Sequence, residues 1–175
     1  ALVANTITIP YSSNHKVRYE YDEETGRYTR YSKGRMMKDE VTGEKVTTKN
    51  IIVTFAENYT LNDGENKGRQ DVVTVGSLDG YYITNGEAIK IKCTKTDRDE
   101  QTVYKDLEGN EINVNDGNTF IQIVPLSSKV VIKGEEKVDV EVKSESKNYS
   151  RLRGLLLKLW FIDDPFGDCP QRSHQ

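Results

Sequence analysis

Histidine, cysteine and tryptophan are nearly missing from this 175-residue chain, which holds two His, two Cys and one Trp. His15 and His174 stand at opposite ends of the sequence. Chemistry that needs two or three imidazoles, whether metal binding or a nucleophile–base relay, therefore has almost no material. Cys93 and Cys169 could pair only if the fold brought their Cα atoms within about 7 Å, which sequence alone does not decide. Long apolar runs are absent as well. The most hydrophobic stretch, residues 155–162, is interrupted by Lys158 and falls short of the roughly 18 apolar residues that span a bilayer. Positive charge is not in excess either, with 25 Lys+Arg against 28 Asp+Glu and a net charge of -3. Binding to phosphate backbones depends on clustered cations that displace counterions, so nucleic acid is disfavoured as a partner. The chain opens at Ala1 without the charged-then-apolar layout of a secretion signal, and the expectation is that a leader or an upstream domain precedes it.

What the sequence does contain is the rhythm of short strands. Residues 16–21, Lys-Val-Arg-Tyr-Glu-Tyr, put Val17, Tyr19 and Tyr21 on one face and Lys16, Arg18 and Glu20 on the other, as in a half-buried strand. Asp22 to Gly26 supply turn chemistry, and the return through Tyr28 and Tyr31 completes a hairpin. Asn50-Ile51-Ile52-Val53-Thr54-Phe55 is an apolar, β-branched run suited to a central strand. Residues 62–70 hold two Gly and little that is apolar, and read as a surface loop whose spacing does not fit a calcium site. Asn85-Gly86 between residues 81–84 and 87–92 predicts a type I′ hairpin, with Ile89 and Ile91 on one face and Lys90 and Lys92 toward water. Residues 103–105 and 111–114 flank a further turn, and residues 120–124 close the series before Pro125. This pattern predicts an all-β, antiparallel sandwich or partly open barrel.

After Ile132 the composition shifts. Residues 133–150 are dense in Lys and Glu, with Val138, Val140 and Val142 alternating among the charges, which suits either an edge strand or a solvated linker. Leu152, Leu155, Leu156 and Leu159 then follow helix spacing, predicting one C-terminal helix within residues 149–162 that Gly154 weakens.

No constellation for catalysis stands out. Ser12 and Ser13 precede His15, but close neighbours in a loop seldom meet in catalytic geometry. Carboxylates recur at residues 22–24, 39–40 and 97–100, and glycoside hydrolysis needs two of them across a cleft, whereas adjacent acids in turns are normally solvated. Gly64 and Gly68 open no phosphate loop. The reading is no catalytic residues, no metal site and no cofactor. For binding, the candidates are Asp97, Arg98 and Asp99, where an Arg between acids can grip a ligand or brace its loop, and Tyr19, Tyr21 and Tyr28. Those tyrosines either form a ligand platform or pack across the strands.

Several segments together resemble the C-terminal domain of the YerB-like family of bacterial lipoproteins. They are residues 19–28, Asp39 to Gly43 leading into Asn50-Ile51-Ile52-Val53, Gly80-Tyr81-Tyr82, and Gly117-Asn118-Thr119-Phe120 through Pro125. The likeness runs from about Ile7 to Lys133. It implies an extracytoplasmic protein held at the cell membrane by a lipid anchor outside this chain, with a larger upstream domain, and it supplies no catalytic residues. On that basis residues 1–10 are expected to be the end of the upstream domain or a joining strand, residues 11–134 the β-domain, and residues 135–175 a charged linker and Leu-rich tail foreign to it. The function expected is a non-catalytic interaction domain whose partners are the upstream domain and an envelope protein or cell-wall polymer. The alternative is an accessory or hydrolytic domain acting on cell-wall polymer.

Overall fold

The computed structural model describes residues 1–65 and 67–134, which fall within the compact unit Ala1–Glu136. The chain begins with β1 (Leu2–Val3) and β2 (Thr6–Pro10), then forms the hairpin β3 (Lys16–Asp22) and β4 (Arg27–Ser32). β5 (Arg35–Met36) and β6 (Thr47–Thr48) lead into β7 (Asn50–Ala56), and β8 (Asn58–Thr60) and β9 (Gln70–Val72) make a small hairpin of their own. The long hairpin β10 (Gly76–Thr84) and β11 (Glu87–Lys95) follows, then β12 (Val103–Lys105), β13 (Thr119–Pro125) and β14 (Val131–Lys133). No helix occurs among the described residues. The helix expected within residues 149–162, the charged stretch beyond residue 134 and Cys169 lie outside them.

Two open sheets face each other. The first runs β1-β11-β10-β7-β13, with β12 sharing an edge of β11; the second runs β14-β2-β3-β4-β5, with β6 also on β4. Their facing sides interlock Ile7, Ile9, Val17, Tyr19 and Tyr28 with Ile51, Val53, Ile83 and Val124, all fully or almost fully buried. Each such aliphatic side chain contributes about 1.5–3 kcal/mol by leaving water. The fold is thus a sandwich with open edges, and not a closed barrel.

The residue pattern explains which strand goes where. β7 is buried on both faces, because Ile51 and Val53 enter the main core while Ile52 joins Tyr82, Ile91 and Cys93 on the outer side of the first sheet. That outer cluster is covered by Tyr104 and Ile112, brought over by the chain around β12. Asn85 and Gly86 both take positive φ, at 49° and 76°, as a type I′ turn requires, and the hairpin they close is in register from Gly76↔Lys95 to Thr84↔Glu87. At Gly80 there is no room for a side chain between β10 and β7: a Cβ there would collide with the Val53 carbonyl oxygen.

The sandwich is antiparallel, as expected, but for one pairing: β13 runs parallel to β7, from Thr119↔Asn50 to Pro125↔Ala56. Within residues 1–10, β2 is an interior strand between β14 and β3, and Ala4, Ile7 and Ile9 are fully buried. Tyr21 N–H also donates to the Asn5 carbonyl at 2.8 Å, which binds this segment to the first hairpin.

Candidate functional site

The tyrosines of the first hairpin belong to the core. Tyr19 and Tyr28 are fully buried and Tyr21 partly so, leaving little face for a ligand. Burial pushes the Tyr19 phenol up to about 12, with the nearby Arg30 opposing the rise. Burial also raises Tyr28, whose hydroxyl accepts the Gly86 N–H at 3.0 Å. Tyr21 lies against Gly86, where an added Cβ would come within 2.9 Å of its ring.

Several of the segments that carry the family likeness meet at this same end of the sandwich and hold one another. Buried Asn50 donates through Nδ2 to the Asn115 carbonyl at 2.7 Å and to Thr119 Oγ1 at 3.3 Å, and it accepts from Tyr82 OH at 3.2 Å. Asn118 Nδ2 donates to the Thr47 carbonyl at 2.7 Å, and its Oδ1 accepts from Arg27. Lys49 Nζ reaches Asn85 Oδ1 at 2.6 Å and the Gly26 carbonyl at 3.1 Å. These amides and hydroxyls satisfy the backbone where four loops converge, so their work is to fix the loops.

The other end of the first sheet differs. There β7 runs out into the β8–β9 hairpin, and the 96–102 loop between β11 and β12 lies at the same end of β10 and β11. An open cleft of about 430 Å³ forms among Tyr59, Asp71, Val72, Val73, Thr74, Val75 and Arg98. Tyr59 and Asp71 are register partners across the hairpin, and Tyr59 OH donates to Asp71 Oδ2 at 2.6 Å. That hydrogen bond is the main cause that lowers the Asp71 carboxyl from its ordinary value, with Arg98 lowering it further; the same bond raises the Tyr59 phenol. Val72, Val73 and Val75 are each more than a third exposed and Tyr59 is 51% exposed. The cleft thus combines exposed valine side chains, an exposed ring, an anion and a cation, which suits an amphipathic ligand.

Of the sequence candidates, Arg98 alone lines this cleft. No salt bridge among the described residues joins it to Asp97 or Asp99. Asp97 instead accepts the Arg98 backbone N–H, and its carbonyl accepts from Glu100 N–H at 3.3 Å, so it shapes the loop. Asp99 is exposed in that loop. Tyr59 and Asp71 went unnoticed in the sequence because eleven residues, including a polar loop, separate them. The available signal was the strand on either side of that loop, which reads as a hairpin and so places the two residues opposite each other.

A second open depression, of about 500 Å³, lies beside Leu2, Ile89, Lys90 and the 106–108 turn. Its Asp106 is already engaged by Asn110 of its own turn, at 2.8 Å from the backbone N–H and 2.9 Å from the side chain. Among the described residues no group of three His, Cys, Asp or Glu side chains is arranged to hold a metal ion. Cys93 is a buried free thiol, raised by burial and accepting from Thr54 Oγ1 at 3.3 Å.

Comparison with known proteins gives consistent results. The chain is 28% identical over 141 residues to "Putative lipoprotein YerB" of Bacillus subtilis (strain 168), which covers 74% of this chain but 38% of that protein. The crystal structure of YerB protein from Bacillus subtilis superposes with a TM-score of 0.64 at 24% identity, covering 75% of this chain and 45% of that one. The chain therefore spans less than half the length of the relatives it matches. The profile described as "Protein of unknown function (DUF3048) C-terminal domain" matches residues 7–121, about two thirds of the sequence, and the chain accordingly belongs to the DUF3048 C-terminal domain family.

Proposed function

We propose that this domain is a non-catalytic, extracytoplasmic binding module of a membrane-anchored lipoprotein, and that the cleft at Tyr59, Asp71 and Arg98 is where it takes its ligand. The extracytoplasmic location rests on the name of the Bacillus relative. Binding rests chiefly on the meeting of an exposed aromatic ring, an ionised carboxylate and a cation in a cleft that exposed valines also line. Such a surface offers stacking, charge-assisted hydrogen bonds and apolar contact to a sugar or peptide. It is poorly suited to acid catalysis, which needs a carboxyl raised toward neutral pH by an apolar setting. Among the described residues the carboxyls that depart from the ordinary value, Asp22, Asp39, Asp71 and Asp106, all move downward, and in each case a hydrogen bond to the carboxylate is the leading cause.

The reading is tested by titrating ¹⁵N-labelled protein with soluble peptidoglycan fragments and, separately, with detergent-solubilised envelope proteins. Amide shifts confined to residues 57–75 and 96–102, weakened by Tyr59→Ala and Arg98→Gln, support it. Turnover of a peptidoglycan fragment that is lost in Asp71→Asn would establish the hydrolytic alternative instead.

A further inference from the structure

One side of the sandwich is left unfinished in a particular way. β13 ends the first sheet, and among the described residues β7 is its one strand partner. Its sequence, Thr-Phe-Ile-Gln-Ile-Val-Pro, carries no charge across seven residues. Ile121 and Ile123 on its outer face are 53% and 42% exposed. Edge strands are ordinarily kept from pairing by shortness, charge or bulges. The other outer strands follow that rule: β1 and β5 have two residues each, and β12 and β14 have three each, ending in Lys. β13 does not.

Beneath this edge lies a cation with no salt bridge among the described residues. Arg30 on β4 stacks over the Phe120 ring of β13 at 5.2 Å. Phe120 in turn lies 6.1 Å from the Tyr19 ring on β3. β13 therefore passes over β3 and β4, while β5 and β6 carry the second sheet further out. Gln122 of β13 completes the wall, accepting from Tyr11 OH at 2.7 Å and donating to Tyr19 OH at 3.0 Å. Arg30 donates from Nη1 to the weak acceptor Met37 Sδ at 2.7 Å and its guanidinium also faces the Tyr19 hydroxyl, but its Nε is buried with no partner among the described residues. Lys33, Arg35 and Lys38 follow on the same margin of the second sheet, and none of them is in a salt bridge among the described residues. The carboxylate of Asp39 is occupied by Val41 and Thr42 N–H groups of its own turn. A buried guanidinium nitrogen left unpaired is costly, and an arriving carboxylate supplies what it lacks.

We propose that the free edge of β13 is a strand-addition site for an extended, acidic segment of a partner protein, whose backbone continues the first sheet and whose inward carboxylate pairs with Arg30. A strand placed beyond β13 lies over β4 and its outer neighbours, so alternate side chains point at Arg30 and the rest lie level with Ile121 and Ile123. Charge decides between occupants. A second copy pairing β13 with β13 brings no carboxylate to either Arg30.

The test uses the full chain and a synthetic probe, an alternating Val/Glu heptapeptide with blocked ends and Ser-Gly flanks, followed by ¹H–¹⁵N NMR. The expected result is saturable shifts and new exchange protection at the amides of residues 119–125. The Gln-for-Glu peptide should bind about tenfold more weakly or worse, and N-methylation of alternate peptide amides should abolish binding. Arg30→Met should remove the Glu/Gln discrimination while retaining packing on Phe120. If that variant does not fold, Arg30→Lys and the two peptides on the unmodified protein carry the same comparison. Four results overturn the proposal: no shift in residues 119–125 at millimolar peptide, equal binding of the Glu and Gln peptides, β13 amides already protected without peptide, or concentration-dependent dimerisation through those residues.

Discussion

Gly80→Ala isolates the closeness of the two central strands in a single methyl group. Gly80 pairs with Thr54 of β7 and Ile91 of β11. A Cβ at that position would overlap the Val53 carbonyl oxygen, stand 3.0 Å from Cys93 Sγ and 3.4 Å from Ile91 Cγ1. The carbonyl belongs to an interior ladder and cannot rotate aside, so relief requires the strands to separate. Overpacking of a rigid core costs about 1–3 kcal/mol, and this contact belongs near the upper end. Against it, Ala reduces the entropy of the unfolded chain and returns about 0.4–1 kcal/mol. The net is a loss of about 2 kcal/mol, or a fall in Tm of roughly 6–10 °C for a domain of this size. Thermal denaturation followed by circular dichroism at 215–220 nm measures it. A double-mutant cycle with Cys93→Ala adds a finer check, because removing the sulfur relieves one contact and leaves the carbonyl clash, so less than half of the loss should be recovered. A Tm within 2 °C of the parent, or full recovery in the double variant, would refute the argument that β7 and β10 meet backbone to backbone at this point.

Two further outcomes follow from the polar groups. Asn50→Leu should destabilise by about 2–4 kcal/mol in urea denaturation, because it strips the Asn115 carbonyl of its side-chain donor and the Tyr82 hydroxyl of its acceptor inside a buried site; an unchanged midpoint would show the network to be dispensable. For Asp22, Asp39, Asp71 and Asp106, hydrogen bonds to the carboxylate hold the folded-state pKa below the ordinary value. A lowered folded pKa stabilises above the unfolded value, and this contribution disappears as the acid protonates. Stability should therefore be flat through neutral pH and decline below about pH 4 as the lowered values are crossed. A Tm that is constant from pH 5 to pH 2.5 contradicts the assignment.

What the sequence determined by itself is the local part of the fold. Alternation in residues 16–21, the Asn85-Gly86 pair and the β-branched run at residues 50–55 each set backbone geometry within a few residues. They appear as β3, a hairpin turn with two positive φ angles and a strand buried on both faces. The order of segments such as Gly80-Tyr81-Tyr82 and residues 117–125 carried the family as well, because loops fixed by specific amides tolerate few residue types. The tertiary structure decided everything that depends on distant partners. The parallel pairing of β13 with β7 joins residues about seventy apart, and β14 with β2 joins residues more than a hundred apart; neither strand's own pattern names its neighbour or direction. Tyr19 and Tyr28 had the composition of a binding face, yet whether an aromatic strand face meets water or a second sheet is settled by what packs on it. Arg98 was legible as an Arg between acids, but its meeting with Tyr59 and Asp71 is a property of two loops projecting from the same end of one sheet. Local geometry is encoded by steric and hydrogen-bonding preferences of adjacent residues, whereas convergence is paid for in chain entropy and rewarded by burial that only the assembled sandwich provides.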